Sequence, residues 1–299
     1  MVDTLTGAAP RCVLLGRAGF FATALAARLR PLLGDRLRVV GSAELDLTSA
    51  GSADRLGEIV DGDTVLIVPA RAPRGPDPFR TFTDDVAIAT AVARCVVARR
   101  PRRCVYFSSS AVYGDATCHA AITEQTAVAP SALYGVSKLA AEGVIRHAAE
   151  RAAVPLVTLR PCMVYGPGDT TRPYGPGAFL HSALHSGKVQ VFGDGSEVRD
   201  YLFVRDLAEI TAALAFNGSP GVYNLATGQS HSFRQLWAHL RALVGRPFEV
   251  VSVPRDRART DQTFDIARLR AALPDLRFTP LEKGLADTVA SVPGAGDRS

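Results

Sequence analysis

Short apolar runs alternate with helical patterns through the first half of the chain. Arg11–Leu15, Leu37–Val40, Thr64–Val68, Cys104–Ser108 and Leu156–Arg160 are brief, mostly apolar stretches of the kind that form buried strands. Between them, Gly19–Leu33, Ser52–Val60, Asp84–Ala98 and Leu133–Ala149 carry apolar positions at helical spacing. Parallel neighbours need a long crossover, so strands separated by helices predict a parallel sheet covered on both faces. The expected class is α/β, a doubly wound sheet with ligands beyond the carboxyl ends of its strands.

After Arg160 the texture changes. Tyr165–Gly177 is dense in Gly and Pro, which break regular structure. A helix over Gly177–Ser186, a strand over Val189–Phe192 and the segment Ser232–Thr288 predict a smaller lobe, while Val204–Leu214 and Gly221–Leu225 return to the sheet. The expected division is a dinucleotide-binding domain from 1–165 and 200–226, a discontinuous α/β substrate lobe from 166–199 and 227–292, and a tail over 293–299.

Length and composition narrow the class. The 299 residues suffice for one large core or a core with a lobe attached. The longest apolar runs, such as Val65–Ala70, fall far short of the roughly 20 residues of a membrane helix, and Met1–Pro10 carries no secretory pattern. Membrane association is not expected. The five cysteines, Cys12, Cys95, Cys104, Cys118 and Cys162, are odd in number and lack paired spacing, so a reducing cytoplasm is expected and a metal site is not. Net charge is +5, with basic residues scattered apart from Arg99, Arg100, Arg102 and Arg103. That cluster reads as a solvated helix end, so no nucleic-acid partner is expected, and the modest positive balance suits a phosphate-bearing substrate. His119 and His231 read as solvated loop residues, and Trp237 as packing for the small lobe.

Candidate chemistry begins at Leu14-Leu15-Gly16-Arg17-Ala18-Gly19-Phe20-Phe21-Ala22, which joins the first strand to the first helix. A pyrophosphate must approach backbone N–H groups at a helix N-terminus, where a Cβ at Gly16 or Gly19 would obstruct it. Ala22 stands where a third glycine is usual. NAD enzymes usually end the second strand in an acid that binds the ribose hydroxyls. Here that strand ends Val40-Gly41-Ser42, and the first acid is Glu44. Arg17 and Ser42, without an adjoining carboxylate, suit a 2′-phosphate, so NADP is expected, with NAD as the alternative.

Tyr134-Gly135-Val136-Ser137-Lys138 puts a phenol and an amine at i and i+4, about 6 Å apart along one helix face. An unperturbed phenol, near pKa 10, is a poor acid–base at neutral pH, and a neighbouring ammonium favours its ionised form. Upstream, Phe107-Ser108-Ser109-Ser110-Ala111-Val112-Tyr113-Gly114 brings hydroxyls out at the sheet's carboxyl edge, where one can orient a substrate oxygen.

Together these features resemble the extended short-chain dehydrogenase/reductase family, the nucleotide-sugar epimerase, dehydratase and ketoreductase group with a Rossmann core. The resemblance runs from about Val13 to Val289. It includes Asp63-x-Val65, Arg160-Pro161-x-x-Val164-Tyr165-Gly166-Pro167-Gly168 and Gly193-Asp194-Gly195…Arg199-Asp200-Tyr201-x-x-Val204-x-Asp206-Leu207. It implies Ser109 as the catalytic hydroxyl, Tyr134 as acid–base and Lys138 as its activator and a ribose ligand. It lays Asp46, Leu47, Pro69, Ala70, Pro161 and Val164 along the cofactor, and Ser110, Ala111 and Met163 beside the substrate. Arg199 and Arg255 are implied to hold the substrate diphosphate, and a homodimer is implied through Asp84–Ala98 and Leu133–Ala149.

Departures from the family pattern steer the choice of reaction. Ser110-Ala111 replace the Asp-Glu of dehydratases, the usual His-Leu-Ala-Ala reads Ile67-Val68-Pro69-Ala70, the usual helix Asn is Asp85, and a substrate-side Asn is Met163. Without the ribose acid, a dissociable cofactor and a single net reduction are expected. The leading expectation is an NADP-dependent ketoreductase of a nucleoside-diphosphate (dTDP) 4-keto-6-deoxyhexose. The alternatives are an NAD-dependent nucleotide-sugar 4-epimerase and a non-catalytic member that senses dinucleotide or binds RNA.

Overall fold

The computed structural model describes residues 10–115, 121–169, 175–255 and 259–292. Six strands form the central sheet: β1 (Arg11–Leu15), β2 (Leu37–Val40), β3 (Thr64–Val68), β4 (Arg103–Phe107), β5 (Leu156–Pro161) and β9 (Gly221–Leu225), in the order β2-β1-β3-β4-β5-β9. Every pairing among them is parallel. Successive side chains of a strand face opposite ways, so the sheet feeds two cores. Cys12 and Leu14 join α1 (Phe20–Leu33) and α6 (Val204–Phe216) on one face. Val13 and Leu15 join α2 (Ser52–Gly57), α3 (Pro78–Arg99) and α4 (Leu133–Ala152) on the other. This is the α/β fold expected from the alternating pattern.

The remaining elements form a separate layer. Strands β6 (Met163–Tyr165), β8 (Val198–Phe203) and β10 (Ser230–Ser232) make a three-stranded sheet, and β7 (Lys188–Phe192) pairs in parallel with β11 (Glu249–Val253). With α5 (Pro176–His185), α7 (Phe233–Leu243) and α9 (Leu281–Ala290) they bury a third core around Tyr165, Phe203, Leu236 and Leu285. Trp237 lies against Gly195, where a Cβ would meet its ring at 2.3 Å, so it packs this layer. The short helix α8 (Ala267–Ala272) returns to the edge of β9.

Several elements differ from expectation, and two of them have a clear physical reason. Helix α3 starts at Pro78 rather than Asp84, with Asp77 accepting hydrogen bonds from the N–H groups of Phe79 and Arg80. Strand β8 has no counterpart among the expected elements, because its Arg199 and Asp200 are charged yet buried. Asp200 is satisfied by Thr227 N–H at 2.9 Å, Thr227 Oγ1 at 2.8 Å and Gly228 N–H at 2.8 Å. Burial raises its carboxyl pKa, and these bonds oppose the shift. In the basic cluster, Arg103 reaches across to the carbonyls of Leu214 and Gly218, both at 2.6 Å, closing the end of α6. Among the described residues, no helix is long and apolar enough to cross a membrane.

Candidate active site

The phosphate turn follows β1. Gly16 has φ +116°, a conformation that side chains other than glycine rarely adopt, and a Cβ there would touch Ala22 Cβ at 3.4 Å. Its N–H donates to the Val40 carbonyl at 2.7 Å, fixing the turn beside the end of β2. Helix α1 begins at Phe20 with no acidic residue in its first turn, so its N-terminal N–H groups face no competing carboxylate. Residues Gly16–Phe21 therefore fit a dinucleotide pyrophosphate.

At the adenosine end, the arginine chosen for a 2′-phosphate is already engaged. Arg17 Nη2 donates to the Val39 carbonyl at 2.9 Å and to Glu44 Oε2 at 3.3 Å, and Arg38 pairs with the other Glu44 oxygen at 2.8 Å. A carboxylate thus stands beside the end of β2, although Gly41 and Ser42 occupy the usual acid's place. The premise behind NADP, a cation with no carboxylate at hand, does not hold in the folded chain. Asp46 turns its carboxylate onto Thr48, whose N–H and hydroxyl lower its pKa. Leu47 is buried, and Ala70 is half-buried after β3.

The segments that carry the catalytic candidates come together where the start of α4 rests on the turn after β4. Ser109 caps a 3₁₀ turn over Ser110–Tyr113, its side chain accepting the Ala111 N–H at 3.2 Å. Gly135, next to Tyr134, lies so close to that turn that a Cβ would stand 2.4 Å from the Ala111 carbonyl oxygen. The Tyr134 end of α4 therefore rests on the Ser109 turn. Lys138 is buried, donates to the Phe107 carbonyl at 3.3 Å and lies 5.6 Å from the Tyr106 ring centre. Tyr134 is half-buried, with the Arg74 guanidinium 5.6 Å from its ring centre. Arg74 is an addition to the expected site, since a Pro- and Gly-rich loop gives no pattern from which to place it.

Asp85 also gains a role. Its buried carboxylate accepts the Ala72 N–H at 2.8 Å and the Ser137 hydroxyl at 3.0 Å, tying the loop after β3 to the catalytic helix. Both partners are donors, which suits a carboxylate where the family pattern has an amide.

The substrate-side candidates separate. Arg199 is buried, paired with Glu197 at 2.6 Å, and donates to the carbonyls of Val198 and Thr260. Its fork is committed to its own lobe. Arg255 is 3.7 Å from Asp194, and its Nε and Nη2 are buried without a hydrogen-bond partner among the described residues. Arg255 is the arginine with donor capacity to spare. Met163 begins β6 with its sulfur against Gly175, Ser110 is buried, and Ala111 is half-buried. Pro161 ends β5 and Val164 lies within β6. His231 sits on β10 across from Arg199, and His119 lies outside the described residues. Among the described residues, no cluster of His, Cys, Asp or Glu could hold a metal ion.

Comparison with known proteins identifies the family. The sequence profile of the NAD dependent epimerase/dehydratase family matches residues 12–226. A UDP-glucose 4-epimerase of Mycolicibacterium smegmatis is 28% identical over 312 residues, covering 93% of this chain and 97% of the relative. The structure of MoeE5 in complex with UDP-glucose and NAD is 27% identical, covers 94% of this chain and 98% of its own, and superimposes with a TM-score of 0.77. The UDP-glucose 4-epimerase of Thermus thermophilus, in complex with NAD, shares the fold at 23% identity and TM-score 0.81, covering 95% and 99% of the two chains. The Mycolicibacterium smegmatis relative favours the epimerase alternative over the ketoreductase expected first, and the MoeE5 complex favours NAD over NADP. The chain belongs to the NAD dependent epimerase/dehydratase family, an enzyme family of the extended short-chain dehydrogenase/reductase type.

Proposed function

We propose that this protein is an NAD-dependent 4-epimerase of a UDP-hexose. The observation that carries the reading is the junction of α4 with the Ser109 turn, in a chain that aligns end to end with a UDP-glucose 4-epimerase. The Glu44 carboxylate beside the end of β2 supports NAD, because it neutralises the arginines that a 2′-phosphate would need. NAD, held at Gly16–Phe21, would supply the hydride acceptance and return that an epimerisation needs. Tyr134 takes the proton of the sugar hydroxyl as that carbon becomes a ketone, and returns it when the carbon is reduced from its other face. Ser109 orients the same oxygen, and Lys138, one turn further along α4, would hold the nicotinamide ribose. Arg255 holds the diphosphate. The substrate lobe is taken as 166–199 with 227–292. The four described cysteines are free and buried, which suits a cytoplasmic protein.

Interconversion of UDP-glucose and UDP-galactose by protein that keeps NAD through purification is the expected result. Stoichiometric NADPH consumption with a 4-keto sugar nucleotide, and no interconversion, would instead establish a reductase.

We further propose that two copies pair through α3 and α4. An open groove of about 630 Å³ runs between these helices, lined by Ala93, Val97, Gly143, Val144 and His147. Val97 is 37% exposed, an apolar side chain with nothing over it. Val97→Asp should convert a dimer to a monomer in sedimentation equilibrium, and an unchanged mass would refute the pairing.

A further inference from the structure

Beneath the junction of α4 and the Ser109 turn lies a buried charged chain. Arg160, near the end of β5, is 6% exposed, and Glu142, on α4, is 9% exposed. Arg160 donates from Nε to Glu142 Oε1 at 2.9 Å and from Nη2 to Oε2 at 2.7 Å, a two-point fork. Its third arm, Nη1, donates to the Tyr113 hydroxyl at 3.0 Å. That hydroxyl donates to Asn224 Oδ1 at 2.7 Å, and the Asn224 N–H donates to Glu124 at 2.8 Å. Arg160 and Asn224 face each other across β5 and β9.

A buried ion pair is a poor source of stability, since well-packed apolar residues often serve as well. What a two-point fork supplies is a fixed orientation. Glu142 stands one helical turn beyond Lys138 and two beyond Tyr134, so fixing its carboxylate fixes the rotation of the catalytic face. Tyr113 ends the 3₁₀ turn that Ser109 begins. One guanidinium therefore holds a side chain from each of the two segments that carry the reacting hydroxyls. We propose that Arg160, acting through Glu142 and Tyr113, is the positioning residue that sets Tyr134 against Ser109. The inference rests on Tyr134 being the acid–base.

The test is Arg160→Lys, which keeps the charge and removes the fork, beside the apolar pair Arg160→Met with Glu142→Leu, assayed in the full chain with NAD and UDP-galactose. For Arg160→Lys, kcat should fall about 10–100-fold, while KM and NAD affinity stay within about threefold, the pattern of a displaced catalytic group. A crystal structure of the variant with NAD should show the Tyr134 hydroxyl moved about 1 Å from its native place relative to Ser109. The apolar pair should melt within about 3 °C of the native chain and still turn over slowly. Recovery of native kcat by the apolar pair, or an unmoved Tyr134 hydroxyl in Arg160→Lys, would overturn the proposal. Should Arg160→Lys not fold, the apolar pair decides, and the crystallographic comparison needs no substrate. Tyr134→Phe separates the two claims. Full turnover there removes the acid–base assignment itself, whereas an inactive Tyr134→Phe beside a native-like Arg160→Lys removes only the positioning role.

Discussion

Tyr134→Phe should lower turnover by about 10²–10⁴-fold, the range spanned by a positioned acid–base group, while leaving NAD affinity within about threefold. The substitution deletes one oxygen and keeps the ring, so the packing of α4 against the Ser109 turn survives. The two neighbouring candidates are otherwise engaged. Lys138 is buried with its ammonium directed to the Phe107 carbonyl, and Ser109 uses its oxygen to cap the 3₁₀ turn. The cofactor turn at Gly16–Phe21 lies on β1 and α1, remote in sequence from the lost oxygen, so binding and turnover should separate cleanly. Steady-state kinetics with a NAD-binding titration would check this, and turnover within tenfold of the native chain would remove Tyr134 from the chemistry.

Gly135→Ala should cost about 10²-fold in kcat, with a lower melting temperature. The new methyl would stand 2.4 Å from the Ala111 carbonyl oxygen and 2.8 Å from Pro130 Cβ. The first contact is backbone, which cannot rotate away, so α4 has to lift from the turn. Overpacking of this kind costs about 1–3 kcal/mol. A displacement near 1 Å between reacting groups is enough for a hundredfold loss. Helix propensity pushes the other way, because alanine favours a helix interior by about 1 kcal/mol over glycine. The sign of the stability change therefore reads the contact directly: a more stable, fully active Gly135→Ala protein would show that α4 and the turn do not touch as described.

The parts of the fold visible in the sequence are those set by local pattern. Strands β1, β3 and β4 lie inside a covered parallel sheet, so they read as unbroken apolar runs, and their limits fall within a residue of those expected. Tyr134 and Lys138 are legible as a candidate pair because phenol and amine sit at i and i+4, whereas Ser109 is singled out from its serine run only by the family resemblance. Helix α3 shows where pattern fails. Its first turn projects beyond the core, with Phe79 71% exposed, so no apolar stripe announces it. The Asp77-Pro78 start signal is present and supplies the missing turn once it is weighed. Strand β8 is hidden because buried Arg199 and Asp200 depend on partners at Glu197 and Thr227 that only the fold assembles. The same limit hides the contact that removes the premise of the NADP expectation. Glu44 meets Arg17 across 27 residues, and no spacing rule reaches that far.

Strand β8 ends at Phe203 and helix α6 begins at Val204, with no connecting residue. The first belongs to the three-stranded sheet and the second lies against α1 under the central one. That join leaves no pivot between the two layers at this crossing, and the chain passes between them again on either side of it. In the proposed epimerisation, that tie would hold the layer carrying Arg255 in register with the sheet edge that carries Ser109 and Tyr134.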